Sequence, residues 1–206
     1  MRGTTPSTPT LPRPLPESEG GFVSRSHVLH VAIAWRLRKS WRAAALLKRV
    51  AHYAAAAAGF RFGDLSIAVV GDAAMRRLHA AHLHDPRPTD VLTFDLGTHR
   101  RSGRLDAEII VCADVARRCA AARSRGPIHD RPLREARRCA AARSRAPVRD
   151  HALREARREL ALYVVHGVLH LAGYNDHRPT DFRRMHARED ELLRELGLGA
   201  VFAPAR

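Results

Sequence analysis

His166-Gly167-Val168-Leu169-His170-Leu171-Ala172-Gly173-Tyr174-Asn175-Asp176-His177 is the stretch on which the reading of this 206-residue chain turns. Two histidines stand four apart in an apolar run, and a glycine turn then delivers an aspartate and a third histidine. With residues 163–172 helical, His166 and His170 lie one above the other on the same face. That spacing suits two imidazoles converging on one metal ion. A zinc site that does chemistry takes three protein ligands and leaves one position open for water. The third ligand is therefore expected beyond Gly173, where the helix should end, and both Asp176 and His177 are candidates. The plainer reading, histidines on a helix face bonded to their neighbours, accounts for one such residue better than for this pair followed by Gly and Asp-His.

The length suits a single domain with a sizeable core. No run of eighteen apolar residues occurs, so no membrane span is expected. Cys112, Cys119 and Cys139 are odd in number and lack ligand-like spacing. They fit a reducing, cytoplasmic setting with free thiols. The formal charge of +15 is carried almost wholly by arginine, which favours a polyanionic partner.

Residues 1–25 are rich in Pro, Thr, Ser and Gly without apolar periodicity, and read as a disordered leader. Residues 27–35 alternate as a strand, and 40–58 follow as a helix with Ser40 as N-cap and Gly59 just past its end. A strand at 65–70 precedes a helix at 73–82 that Asp72 should cap, and Pro86 and Pro88 break it. Strands at 89–96 and 106–112 come next, then a long helical region from Asp114 into the metal stretch. An amphipathic helix at 180–196 ends at Gly197, and 199–206 form a tail. Strands come early and helices late, which favours an α+β domain over residues 26–198.

Residues 116–135 (ARRCAAARSRGPIHDRPLRE) recur almost unchanged as 136–155 (ARRCAAARSRAPVRDHALRE). Two copies are too few for a solenoid, so 116–155 reads as a tandem duplication forming a basic helical or loop excursion. Each copy carries six arginines against two acids, and the chain stays strongly basic without the second one. A tolerated insertion is the simpler account, and a new RNA-contacting arm the alternative.

The metal stretch, followed by Met185 and Glu189, resembles the signature of the YbeY-type rRNA maturation endoribonucleases, His-Gly-x-Leu-His-Leu-x-Gly-Tyr-Asp-His. Pro88-Thr89-Asp90-Val91-Leu92-Thr93-Phe94 is similar to the same family's Pro-Thr-Asp-Val-Leu-Ser-Phe strand, and the order of elements agrees. The resemblance implies a single zincin-like α+β domain with a small, mostly four-stranded sheet packed against helices. It implies one Zn²⁺ per chain and cleavage of single-stranded RNA. It further implies a role in small-subunit rRNA 3′-end processing and ribosome quality control, with rRNA and the small ribosomal subunit as partners.

This chain departs from the family pattern at two points in the site. One extra residue precedes His177, so spacing selects Asp176 as third ligand whereas residue type selects His177; Asp176 is preferred, since zinc accepts carboxylate oxygen. The family's arginine before the Pro-Thr-Asp strand is replaced by Leu83, beside His79 and His82, which leaves Arg87 or Arg76 as substitutes for contacting substrate. His166 and His170 are expected to act through the metal, with no general base assigned. Two rivals follow. One is a non-catalytic RNA-binding assembly factor with a closed structural metal site. The other is a zinc protease, which needs a Glu directly after the first His, where this chain has Gly167. Asp90 is expected as a turn or cap residue, and Met185, Leu192, Leu193, Trp35 and Trp41 as core.

Overall fold

The structure, a computed structural model, describes residues 28–37, 43–123 and 150–202. The readings of residues 1–25 as a leader, of Trp41 as core, of Cys139 as a free thiol and of most of the duplicated segment lie outside them. The elements run β1 (Leu29–Trp35), α1 (Ala44–Ala57), β2 (Phe62–Val70), α2 (Asp72–Leu83), β3 (Val91–Asp95), a 3-10 turn (Arg100–Ser102), β4 (Arg104–Cys112), α3 (Ala113–Arg123), α4 (Asp150–Leu171) and α5 (Pro179–Glu195). The α+β class expected from the sequence is the one observed. The sheet is four-stranded in the order β1-β2-β4-β3. β1, β2 and β4 run parallel, and β3 joins β4 antiparallel as an edge.

The parallel pairs require long crossovers, and α1 supplies the first of them. Its buried residues Leu47, Val50, Ala51, Ala54 and Ala55 fall at the helical spacing of a single face. Ser40, the cap expected from the sequence, lies outside the described residues, and the N-cap is Ala43, without a side-chain cap bond. Alanine-rich sequence tolerates this, because its helix propensity is high and packing supplies the rest. At the far end Gly59 takes φ +87°, the left-handed stop expected there.

β2 and β4 both begin earlier than their apolar runs suggest, with Phe62 opposite Arg104 and Gly63 opposite Leu105. A Cβ on Gly63 would lie 2.3 Å from the Leu105 carbonyl oxygen, so only glycine allows this close approach. α4 is the central helix. Leu160 to Leu169 are buried without a break, because the helix packs against α1, α3, α5, β3 and β4. A helix covered on all sides is apolar all round, and each fully buried leucine in it contributes roughly 1.5–3 kcal/mol.

Asp72 does not cap α2; Gly71 is the N-cap and Asp72 is the first helical residue. The capping acceptor comes from α3 instead, since the Asp72 N–H donates to the Asp114 carboxylate at 3.0 Å. The Asp72 carboxylate takes two bonds from Arg118, at 2.6 and 2.7 Å, and one from the Cys112 thiol. Cys112 and Cys119 are buried, and burial pushes the Cys112 thiol up to about 12, leaving it inert.

Burial raises the Asp72 carboxyl, but its hydrogen bonds and ion pair with Arg118 outweigh this and hold it below 3.8. The pair therefore stabilises the fold above pH 3.8, and the stabilisation is lost as pH falls through the lowered value. Asp72→Asn should lower the unfolding free energy by about 1–2 kcal/mol at neutral pH, with the gap closing as acid protonates the wild-type carboxylate. Urea unfolding at pH 7, 5 and 3.5 checks this; a gap that does not narrow at the lowest pH rules the ion pair out as its source.

Candidate metal centre

α4 carries His166 and His170 to the wall of a cleft of about 710 Å³. Its other lining residues are His82 and Leu83 from α2, Val91 to Asp95 from β3, Arg100 from the 3-10 turn, and Leu171. The helix can lie this close to the sheet because Gly167 follows the first histidine. A Cβ there would stand 2.8 Å from the Thr93 hydroxyl and 2.9 Å from Ile109 Cδ1, so a side chain would push the helix, and His166 with it, away from β3.

Both imidazoles are held from behind. His166 Nδ1 donates to Glu189 Oε1 at 2.7 Å, and His170 Nδ1 donates to the Tyr174 carbonyl at 3.1 Å. With Nδ1 protonated in each ring, each Nε2 presents a lone pair. These two nitrogens face each other at 2.8 Å. At that distance the two nitrogens are held together by a shared proton or by a metal cation. The carboxylate–histidine arrangement is the usual support behind a metal-bound imidazole, where it fixes the tautomer and ring orientation.

The third group is Asp176. Among the described residues, His166, His170 and Asp176 are the set whose ligand atoms all lie within 4.8 Å of one another. The chain leaves α4 through Gly173 at φ +94°, a conformation that favours glycine, and the following turn brings Asp176 back half-buried. His177 is exposed, and its backbone N–H is tied to the Asn175 side chain at 2.9 Å. Two imidazoles and one carboxylate are a donor set that suits a divalent ion such as zinc, and the facing Nε2 atoms fit such a guest.

Glu189 is the residue whose role the sequence reading left unassigned. It is fully buried and shared, for its Oε2 accepts from His186 Nδ1 at 2.5 Å. Burial raises its carboxyl, but the hydrogen bonds from His166 and His186 outweigh this and hold it ionised. Burial also opposes charge on His166, and Glu189 more than offsets it, so that ring is raised. Burial and the neighbouring His166 lower His170. A signal was present in the sequence: Met185, Glu189, Leu192 and Leu193 fall on one face of α5, so the acid sits inside an apolar stripe.

Arg87, the expected substrate contact, lies on the turn before β3 in a tight pair with Asp85, and is absent from the cleft lining. His79 is buried on α2 and donates from Nδ1 to the Arg87 carbonyl at 2.7 Å, which fixes that turn. His82 meets Phe94 edge to face in the cleft, with ring centroids 4.9 Å apart. Asp90 accepts from the Val91 N–H at 3.0 Å, the turn role expected of it, and burial pushes its carboxyl up. Met185, Leu192 and Leu193 are fully buried.

The profile of the YbeY family, described as endoribonuclease YbeY, matches residues 36–130 and 139–197. An endoribonuclease YbeY from an Anaeromyxobacter species is 34% identical over 188 residues, covering 89% of this chain and 78% of that protein. A second, from Anaeromyxobacter dehalogenans, is 34% identical over 166 residues, covering 80% and 71%. A Thermotoga maritima protein solved in solution overlays loosely, with TM-score 0.47 and 19% identity over 81% of this chain and 91% of its own.

Glu189→Gln leaves the shape but offers only one acceptor to two histidine N–H donors. It should weaken binding of a divalent ion about 10- to 100-fold, read by competition with a chromophoric chelator. Unchanged affinity would mean that Glu189 does not govern the His166 tautomer.

Proposed function

Because the chain belongs to the YbeY endoribonuclease family, we propose that it is a zinc-dependent endoribonuclease that cuts single-stranded RNA during rRNA maturation. The proposed setting is 3′-end processing of small-subunit rRNA and ribosome quality control, on or near the small ribosomal subunit. The observation that carries this reading is the convergence of the His166 and His170 Nε2 atoms, 2.8 Å apart, beside Asp176 in the wall of an open cleft.

The chain's own residues would do four things. His166, His170 and Asp176 hold the ion, which when bound supplies a Lewis acid for phosphoryl oxygen and acidifies water. Glu189 and the Tyr174 carbonyl keep both rings in the tautomer that offers Nε2. Gly167 keeps α4 against β3, so the ligands line a cleft that substrate can enter. The arginine-rich surface draws RNA in through its backbone, which makes binding salt-sensitive.

The rival reading as an RNA-binding factor with a structural metal calls for a fourth protein ligand. His177 was the residue to supply it, and its exposed position on the turn argues against that. A protease would need a carboxylate where Gly167 stands. Among the described residues no helix is long and apolar enough to cross a membrane.

The test uses the zinc-loaded full chain and an unstructured oligoribonucleotide. Cleavage should stop with EDTA and return with zinc. His170→Ala should abolish it, and Asp176→Asn should cost at least about 100-fold, while His177→Ala stays near wild type. Cleavage that survives both EDTA and His170→Ala would sink the metal mechanism. A larger loss in His177→Ala than in Asp176→Asn would move the third ligand to His177.

A further inference from the structure

We propose that Arg100 is the phosphate-binding cation of the cleft, reaching the RNA backbone from the turn between β3 and β4. The proposal rests on the reading of this cleft as an RNA-cleaving site. Four observations carry it.

Among the described residues lining the cleft, Arg100 is the only arginine or lysine. It shares that lining with His166 and His170, so a phosphodiester drawn to the metal ligands comes within its range. A cleft of about 710 Å³ accommodates a nucleotide-sized guest.

Its guanidinium is not paired. Arg100 is exposed, forms no ion pair with the described residues, and acts on Asp95 only at a distance. Among the described residues the guanidinium donates one hydrogen bond, from Nη1 to the Ala172 carbonyl at 3.3 Å, a neutral acceptor. The neighbouring acid of the cleft, Asp95, is occupied by the N–H groups of Gly97 and Thr98 at 3.0 and 2.7 Å. A guanidinium has five N–H donors in a planar fork, and four remain for phosphate oxygens.

The guanidinium is also held in place. Gly173 has no Cβ, and one added there would stand 1.9 Å from Arg100 Nη1. The side chain thus lies flush on the turn that leads to Asp176. At its root, the 3-10 turn is closed by His99 and Ser102, whose side chains bond at 3.0 Å. A cation fixed before substrate arrives loses little freedom on binding it.

The two cations expected from the sequence are not available there. Arg76 is absent from the cleft lining, and Arg87 donates to both oxygens of Asp85 outside the cleft. A phosphate would have to displace a carboxylate already matched to that guanidinium.

Fluorescence anisotropy with a labelled, unstructured oligoribonucleotide, run across a salt series on the zinc-loaded full chain, reads the contact directly. Arg100→Ala should lose about tenfold or more in affinity, and the slope of log affinity against log salt should fall by about 0.7. Arg100→Lys should recover part of the loss, since a point charge replaces a fork. Arg101→Ala removes the same charge one residue away, on the exposed side of the turn, and should change affinity less than about twofold. Zinc affinity should stay unchanged in all three.

Wild-type RNA affinity and salt slope in Arg100→Ala overturn the proposal. So does a loss that appears only together with weakened zinc binding, because Arg100 would then merely support the turn. A larger effect from Arg87→Ala overturns it too. Wild-type chain that binds RNA through Arg100 yet cuts none supports the contact and overturns the nuclease reading, whereas EDTA-sensitive cutting that Arg100→Ala leaves intact does the reverse.

Discussion

One buried carboxylate organises the site. Glu189 has no access to solvent, and an ionised group in that position is tolerated only when its oxygens are fully bonded. His166 takes one oxygen and His186 the other. His186 is in turn clamped between Phe182 and Phe202. α5 and the residues after it therefore set the rotation of an imidazole on α4. The next residue extends the link, since Asp190 accepts from the backbone of Val201 and Phe202. Orientation of a ligand thus depends on a helix that contributes none.

The cleft shows a second constraint, imposed by small residues. Gly167 and Gly173 each keep a space that another side chain would fill, the first for β3 and β4, the second for Arg100. The first fixes the distance between ligands and sheet, and the second fixes how a charge from a remote loop meets the end of the metal helix. Both follow from close packing, in which one methyl group is enough to shift neighbours.

Much of this was legible in the sequence because it is periodic or local. The His-x-x-x-His spacing gives its geometry as soon as the helix is granted, and one alternating run and short apolar runs mark the four strands. What escaped depends on through-space partners. The turn after Gly173 brings Asp176 beside the two imidazoles and leaves His177 exposed, a placement that residue type alone does not give. Asp72 looked like a cap and is instead half of an ion pair with Arg118 on a helix far along the chain. Arg87 stands beside the motif in sequence, while Arg100 reaches the cleft from a loop whose sequence carries no periodic signal.

α3 and α4 pack directly on each other, so the places where the chain leaves one and enters the other are fixed by their own contacts. The family profile is matched on both sides of residues 131–138, so the helix that carries His166 and His170 is seated on α3 by contacts that family-like sequence supplies from both sides.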